Sequence, residues 1–403
     1  MKVLLVSLSN RGGGAARAVD SLTKALVKNK YDVEVLTYEG TQADYPITIL
    51  NESSSERFAF RIKNKLANWF MGLFGNPSYD YRSMNVFPAN RLLKLINSSD
   101  ADIVNFHWYG AEMLRIEQIP QIKKPIVWTL HDAWMVNGVY HVAPLDFQPY
   151  QNEYGNNWLD RWVYARKKKV YAKVPMHFIT PSQWITDRFI RGALRKEGDT
   201  STVIRNLIDT DVWKPIEKSV AKRTLGFSEG KTHVLFIANN ILTSFNKGFM
   251  FVKQLLDMCG EEYEFHFVGS TDKIELPHVI MHGRTADPKE LALYYSASDI
   301  CLIPSLSENL PYVAVESLCC GTPILCFDTT GLSEIVKNGV NGYKAKKFDV
   351  DDLYKGLQVL RSADYKVSIN VSIKDYLPET NFKRYIEELG KIINENSNAK
   401  VAF

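Results

Sequence analysis

Lys2-Val3-Leu4-Leu5-Val6-Ser7 is followed by Asn10-Arg11-Gly12-Gly13-Gly14, and then by a helical repeat from Ala15 to Lys28. The first run has the length and aliphatic content of a strand, and the glycines break it. Ala18, Leu22, Ala25 and Leu26 then fall on one helical stripe. Tyr31 to Leu36 is a second short strand. Strand, glycine loop, helix, strand is how a parallel α/β sheet begins. Ile103–Phe106, Ile126–Thr129 and His177–Thr180 continue it, each short, apolar and followed by a polar loop.

The pattern restarts after a linker. Asn206-Leu207-Ile208-Asp209 leads into Trp213-Lys214-Pro215. Thr232–Ala238, Glu264–Val268, Val279–Met281, Ile300–Pro304 and Pro323–Phe327 then read as strands. Phe249–Met258, Pro288–Ser296 and Val313–Cys319 are the helices between them. In 403 residues this predicts two α/β domains, 1–208 and 209–380, rather than one oversized sheet. A last helix, Asn381–Ile393, carries Phe382, Ile386, Leu389 and Ile393 on one face and needs a surface to cover them.

Composition narrows the class. A charge of +4, from 49 basic and 45 acidic residues, does not by itself argue for nucleic acid. Met1–Leu8 is too short and too soon interrupted for a signal peptide, and no stretch approaches the roughly 18 apolar residues of a membrane span. Cys259, Cys301, Cys319, Cys320 and Cys326 are odd in number and lack ligand spacing. Buried free thiols in a reducing compartment, the cytoplasm, are expected.

Four constellations carry chemistry, each with a bland alternative. Gly13 and Gly14 open a helix whose free N–H groups suit an anion. Neither the dinucleotide nor the P-loop spacing is present, and a plain tight turn reads equally. His131 and Asp132 follow the strand ending at Thr129, where open sheets place ligand groups. His107, Trp108 and Tyr109 follow the neighbouring strand, and Trp134, Tyr140 and His141 lie just beyond. Such aromatics and imidazoles suggest a polar-rimmed sugar pocket; satisfied packing histidines or a metal site are the alternatives, and no His-x-x-x-His pair supports the latter. Glu308 stands in a loop after a strand, and Glu316 inside an apolar helical run. A carboxylate there must be hydrogen-bonded, by ligand hydroxyls or by a donor of the fold. Lys247, before Gly248 and a helix, is placed to neutralise a diphosphate, or is simply solvated. Asp349–Asp352 reads as a helix cap rather than a metal-binding acidic pair.

These residues resemble glycosyltransferase family 4, retaining nucleotide-sugar transferases of the GT-B architecture. The most specific element is Glu308 to Glu316, a Glu-x7-Glu spacing, with the trailing Cys320-Gly321-Thr322-Pro323. Ser296–Asp299, Gly331–Val336, Gly339–Tyr343 and Asn206–Asp209 support it. Thr129–Trp134 with Gly138 and His141 resembles the branch that builds bacterial exopolysaccharide, capsule or colanic-acid-like chains. Two departures stand out: Asn239-Asn240-Ile241 where related enzymes often have an arginine, and a cysteine-free Ala143–Asn157, holding Tyr150 and Tyr154, where many carry a cysteine-containing insert.

The resemblance implies two Rossmann-like parallel-sheet domains facing each other across a cleft, with helix 381–396 packing back on the first. It implies a UDP- or GDP-sugar donor, no bound metal for the chemistry, and a glycan or lipid-linked glycan acceptor. Glu308 is assigned to the donor sugar, Glu316 to the ribose, and Lys247 to the diphosphate with backbone N–H groups of Asn309, Leu310, Gly13 and Gly14. The segment His282-Gly283-Arg284 is assigned to the base, and His131 to the donor sugar or leaving phosphate. His107, Trp108, Tyr109, Asp132, Trp134 and His141 are the acceptor-side expectation. A nucleotide-sugar epimerase or a carbohydrate-binding protein with a decayed site are the competing readings.

Two basic–aromatic stretches bear on a partner. Phe58, Ile62, Leu66, Trp69, Phe70 and Leu73 share a helical face near Arg57, Arg61, Lys63 and Lys65. Arg161–Lys169 holds five positive residues and no negative one. Either could lie on an anionic membrane, or could be a core-facing helix with its lysines in water.

Overall fold

The computed structural model describes the chain except residues 75–81, 143–157, 240, 242–243, 272–274, 286, 363–371 and 402–403. The expectations for Ala143–Asn157 and for Asn240 lie outside the described residues. The chain divides into two compact units, Met1–Leu207 with Glu379–Phe403, and Ile208–Pro378.

The first unit runs β1 (Lys2–Ser9), α1 (Gly14–Lys28), β2 (Asp32–Glu39), β3 (Ile47–Ile49), α2 (Ser54–Phe74), α3 (Asn90–Ser98), β4 (Ile103–His107), β5 (Ile126–Thr129), α4 (Trp158–Tyr171), β6 (His177–Thr180), α5 (Gln183–Arg191) and β7 (Thr200–Val203). Its strands form a parallel sheet in the order β3-β2-β1-β4-β5-β6-β7. The second unit runs α6 (Lys218–Leu225), β8 (Thr232–Ile237), α7 (Phe249–Met258), β9 (Tyr263–Val268), β10 (Val279–Met281), α8 (Pro288–Ala297), β11 (Ile300–Ile303), α9 (Tyr312–Cys319), β12 (Ile324–Phe327), α10 (Leu332–Ile335), β13 (Gly342–Ala345) and α11 (Val350–Ser362). Its parallel order is β10-β9-β8-β11-β12-β13. The final helix, α12 (Pro378–Val401), returns to the first unit.

The strands read as near-continuous apolar runs because both faces of each sheet are covered. Val3 and Leu5 point to one face, with Val19, Leu22 and Leu26 of α1; Leu4 and Val6 point to the other. Each such Val or Leu, fully removed from water, contributes about 1.5–3 kcal/mol. Helix α12 lies on the α1 face, burying Tyr385, Leu389 and Ile392. The face expected from sequence is thus rotated: Phe382, Ile386 and Ile393 are its flanks. Asp349 does cap α11, accepting the Asp352 N–H at 3.0 Å. The five cysteines are buried free thiols.

Strands β3, β7 and β13 escaped the sequence reading. They are three or four residues long and only partly apolar, and lie at or beside a sheet edge where one neighbour suffices. The strand order reverses between β1 and β4, and again between β8 and β11. Ligands of open α/β sheets bind beyond the strand C-termini at such points.

Candidate functional site

In the second unit, the chain leaving β11 forms a loop at Pro304–Pro311 before α9 begins. Three neighbours hold it. Asn246 brackets Ser307, its side chain accepting the Ser307 N–H at 3.1 Å and donating to the Ser307 carbonyl at 2.8 Å. Thr330 Oγ1 accepts the Glu308 N–H at 2.9 Å. Gly331 donates its N–H to the Glu308 carbonyl at 2.9 Å, and a Cβ at Gly331 would lie 1.6 Å from the Asn309 carbonyl oxygen. Only glycine permits that approach. Gly248 is similar: its φ is +71°, and a Cβ would lie 2.0 Å from the Pro304 carbonyl oxygen.

This scaffold brings Lys247 and Glu308 together, Nζ to Oε1 at 2.6 Å, across 61 residues of chain. The pair is partly buried, with side-chain exposures of 33% and 14%, so water reaches the lysine. Asn309 and Leu310, just ahead of α9, are buried. Glu316 sits one turn into α9, essentially inaccessible, and accepts a hydrogen bond from Tyr295 Oη at 2.9 Å. The fold therefore supplies a donor for the carboxylate that the apolar run made costly.

The assigned base segment is partly committed to the sheet. His282 N–H donates to the Phe267 carbonyl at 2.9 Å, and the Gly283 carbonyl accepts from Gly269 at 2.7 Å. Its imidazole turns beneath the sheet, Nε2 lying 2.8 Å from His266 Nδ1. Arg284 is exposed.

In the first unit, Gly13 precedes α1 and has open space where a Cβ would stand; Gly12, with φ +99°, makes the turn. At the ends of β4 and β5, a hydrogen-bond chain runs from α12 outward. Tyr385 Oη donates to Asn105 Oδ1 at 2.8 Å, and His107 Nε2 lies 2.9 Å from the same oxygen. His107 Nδ1 then meets His131 Nε2 at 2.9 Å. The Asn105 amide nitrogen is turned to the Val127 carbonyl and Thr129 Oγ1, which fixes Oδ1 as the acceptor. His107 must therefore carry its proton on Nε2 and accept at Nδ1. His131 must donate from Nε2, which leaves Nδ1 as its lone pair. Burial keeps both rings neutral: His107 titrates well below the ordinary histidine range, and His131 is pushed down to about 4 against the opposing charge of Asp132.

The acceptor-side residues fall into two groups. Trp108, at φ +52°, and Asp132 are partly exposed. His107, Tyr109, Trp134 and His141 are buried. These four are engaged with partners of the fold. Tyr109 Oη donates to the Leu114 carbonyl, and Trp134 Nε1 to the Ser83 carbonyl at 2.8 Å. His141 is held by Asp132 at 2.6 Å and Ser83 at 2.8 Å and stacks on Trp108, so it orients both partly exposed residues.

Lys167 was expected among the surface charges, and the structure corrects this. It is fully buried, and its Nζ meets the carbonyls of Trp134, Asn137 and Gly138 and lies 3.3 Å from the Trp134 ring centroid. Burial pushes its pKa well down, while Asp160 and Asp132 oppose this. Three carbonyls call for three N–H donors, which only the ammonium has. The helical face on α2 departs the other way. Phe58, Ile62, Leu66, Trp69 and Leu73 are 40–65% exposed, while Phe60, Ala67 and Met71 face the core.

Two parallel-sheet α/β units, each with a reversal of strand order at its centre, are the architecture of the GT-B class of transferases. Residues 12–212 match the family model described as Glycosyltransferase Family 4, and residues 238–367 match the one described as Glycosyl transferases group 1. The chain belongs to this glycosyltransferase family. It is 22% identical over 358 residues to the putative colanic acid biosynthesis glycosyl transferase WcaC of Escherichia coli, spanning 81% of this chain and 82% of that protein. A D-inositol 3-phosphate glycosyltransferase of Mycobacterium sp. (strain KMS) is 27% identical over 345 residues, spanning 81% and 73%. Among solved structures, Anabaena HepE, crystallised with UDP and glucose, superposes with a TM-score of 0.69 at 17% identity, covering 97% of this chain and 100% of that one.

Proposed function

We propose that this glycosyltransferase moves a sugar, with retention, from a UDP- or GDP-sugar to a glycan or lipid-linked glycan acceptor in bacterial surface polysaccharide synthesis. The observation that carries the reading is the Lys247–Glu308 pair, with Glu308 in the loop that leads into α9 and its buried Glu316. Together with Glu316 the pair offers a cation for a diphosphate, a carboxylate for sugar hydroxyls and a second carboxylate for ribose hydroxyls, the cation coming from the segment after β8 and the carboxylates from the loop after β11 and from α9. The relatives point the same way: HepE was crystallised with UDP and glucose, and WcaC is named for colanic acid biosynthesis.

In this reading the acceptor oxygen attacks the anomeric carbon on the face the diphosphate is leaving. The anomeric C–O bond breaks with its electron pair going to the phosphate oxygen, and that oxygen takes the acceptor's proton. Lys247, aided by N–H groups of Asn309 and Leu310 in the same unit, opposes the growing phosphate charge; the N–H groups of Gly13 and Gly14 ahead of α1 are a proposed anion contact of the first unit. Glu308 orients hydroxyls of the sugar as it gains positive character, and the His282–Arg284 segment meets the base. His131, in the first unit, is proposed to accept from a sugar hydroxyl rather than to donate to phosphate, because its neutral tautomer presents a lone pair at Nδ1. Trp108 and Asp132 are the proposed acceptor contacts.

The exposed face of α2 fits an anionic membrane. Its apolar stripe at steps of three and four residues runs beside exposed Arg57, Arg61 and Lys65. No described helix is long and apolar enough to cross a membrane. The proposed location is the cytoplasm, peripheral at the inner face of the membrane. Two experiments test the reading. A panel of UDP-, GDP- and ADP-sugars is screened for binding and slow hydrolysis; no binding by the folded protein would remove the donor assignment. Co-sedimentation should favour anionic over neutral vesicles and weaken in Trp69→Ser and at high salt; equal binding to both vesicle types rejects the membrane contact.

A further inference from the structure

Glu264 and His266, two apart on β9, point to the same face of the second sheet, and His233 on β8 stands directly opposite Glu264 in register. The pleat therefore gathers three ligating side chains on one spot. His233 Nδ1 lies 2.9 Å from His266 Nε2, and Glu264 Oε1 lies 3.5 Å and 3.4 Å from those two nitrogens. The two histidines are fully buried and the glutamate is 9% exposed. Phe227 stacks flat on the His266 ring, centroids 3.6 Å apart.

A ladder of neutral imidazoles accounts for only part of this. The Ser228 carbonyl, 2.9 Å from His233 Nε2, accepts one N–H. His266 Nε2 then donates to His233 Nδ1, and His282 Nε2 to His266 Nδ1. Glu264 Oε2 is served by Ser228 Oγ at 3.0 Å, but Oε1 is buried with no hydrogen-bond partner. A solvent-excluded carboxylate oxygen thus faces two imidazole nitrogens with no N–H directed at it, which is costly even with the Lys231 ammonium 3.9 Å from the other oxygen of the same carboxylate.

We propose that His233 Nδ1, His266 Nε2 and Glu264 Oε1 are three ligands of a Zn²⁺ site. In a tetrahedron with bonds of about 2.0–2.1 Å, ligand atoms are roughly 3.3 Å apart, and the three separations bracket that value. The cation gives Oε1 its partner. Binding needs no net loss of an imidazole proton: His266 moves its proton from Nε2 to Nδ1, and His282 moves its own from Nε2 to Nδ1. The ladder then runs in reverse, with His266 Nδ1–H donating to His282. His233 keeps Nε2–H on the Ser228 carbonyl. Each ligating ring thus donates its other N–H to an orienting partner, as zinc-bound histidines do. Water takes the fourth position. His233 lies at the N-terminal end of β8, whereas Lys247 and Glu308 follow strand C-termini, so the ion is structural: it pins β8 to β9 and, through His282, the end of β10.

The full chain, stripped by dialysis against a chelator, is titrated with Zn²⁺ against a competing dye, and separately with Co²⁺. One ion per chain, a tetrahedral Co²⁺ visible spectrum, and a zinc X-ray absorption shell of nitrogen and oxygen without sulfur are expected. Glu264→Gln and His266→Gln should each weaken binding by more than about 100-fold, and His282→Gln by about 10- to 100-fold. Zinc should raise the melting temperature of the unsubstituted chain in proportion to the logarithm of its concentration. The Co²⁺ spectrum and the melt need no variant to fold. Absence of a spectrum, a sulfur shell from the cysteines, or a melting temperature indifferent to zinc would overturn the site and leave a proton-only ladder.

Discussion

Tyr385, in the last helix, donates a hydrogen bond of 2.8 Å to Oδ1 of Asn105, 280 residues earlier in the chain. That oxygen also receives His107, and His107 receives His131, so the C-terminal helix helps set which nitrogen of His131 carries its proton. Tyr385 is a positioning residue. Tyr385→Phe keeps the buried ring and removes one hydrogen bond, a change of about 0.5–1.5 kcal/mol, so turnover should fall about two- to tenfold. His107→Gln should cost more. A purely structural role would lower the melting temperature and leave kcat of the folded fraction alone; a reduced kcat at unchanged donor KM distinguishes the relay.

Lys247→Ala should lower turnover about a hundredfold, about 3 kcal/mol, because a preorganised charge at the diphosphate is lost. Glu308→Gln should do likewise, and should also free Lys247 from its 2.6 Å partner. Glu316→Gln acts on binding instead, weakening nucleotide affinity by about 1–3 kcal/mol for free nucleotide and sugar nucleotide alike. Saturating-donor kinetics on the first two and calorimetry on the third check these. Near-wild-type turnover in both Lys247→Ala and Glu308→Gln means the chemistry lies elsewhere.

Gly331→Ala places a methyl 1.6 Å from the Asn309 carbonyl oxygen, so the loop carrying Glu308 must move. A loss of about 1–3 kcal/mol in stability is expected, together with weaker donor binding. Gly13→Ala, where a Cβ meets nothing within 4 Å, is the matched comparison and should be far milder in stability. Denaturant melts and donor titration of both variants give the contrast.

Lys167→Met should destabilise by several kcal/mol, because three buried carbonyls lose their donor. Lys168→Gln and Lys169→Gln change exposed side chains and should stay within about 0.5 kcal/mol. A melting temperature equally low in all three would show the interior lysine to be no more than a surface charge.

Stability should fall with acid below about pH 6.5. His107 and His131 are depressed in the folded chain, so between pH 6.5 and about 4 the unfolded chain binds more protons and protonation favours unfolding. For His131 the window amounts to up to about 3 kcal/mol, reduced by solvent at its exposed edge. Asp160, raised to about 6 by burial, works with the opposite sign over the same range. Urea melts from pH 7.5 to 4.5 should show the net decline, and His131→Gln should flatten it. A pH-independent midpoint would contradict the neutral, buried relay.

Local pattern along the chain is enough to specify its regular elements. The aliphatic run Val3–Val6, the glycine break and the α1 stripe make a parallel α/β opening whatever surrounds them, because period and turn chemistry are properties of neighbouring residues. Glu308 and Glu316 were legible for the same reason: their spacing puts one in a loop and one in an apolar helix, where a carboxylate is costly. Whatever depends on distant partners is set by packing. That Tyr385 reaches Asn105, that Lys247 meets Glu308, and that Lys167 is interior while Trp69 is exposed are contacts spanning tens to hundreds of residues, or choices of helix face. A basic residue beside a tryptophan reads alike in water or under a lid of carbonyls. Only the packed sheet, which fixes the register of β8 against β9 and the rotation of α12, settles which side chains share a site.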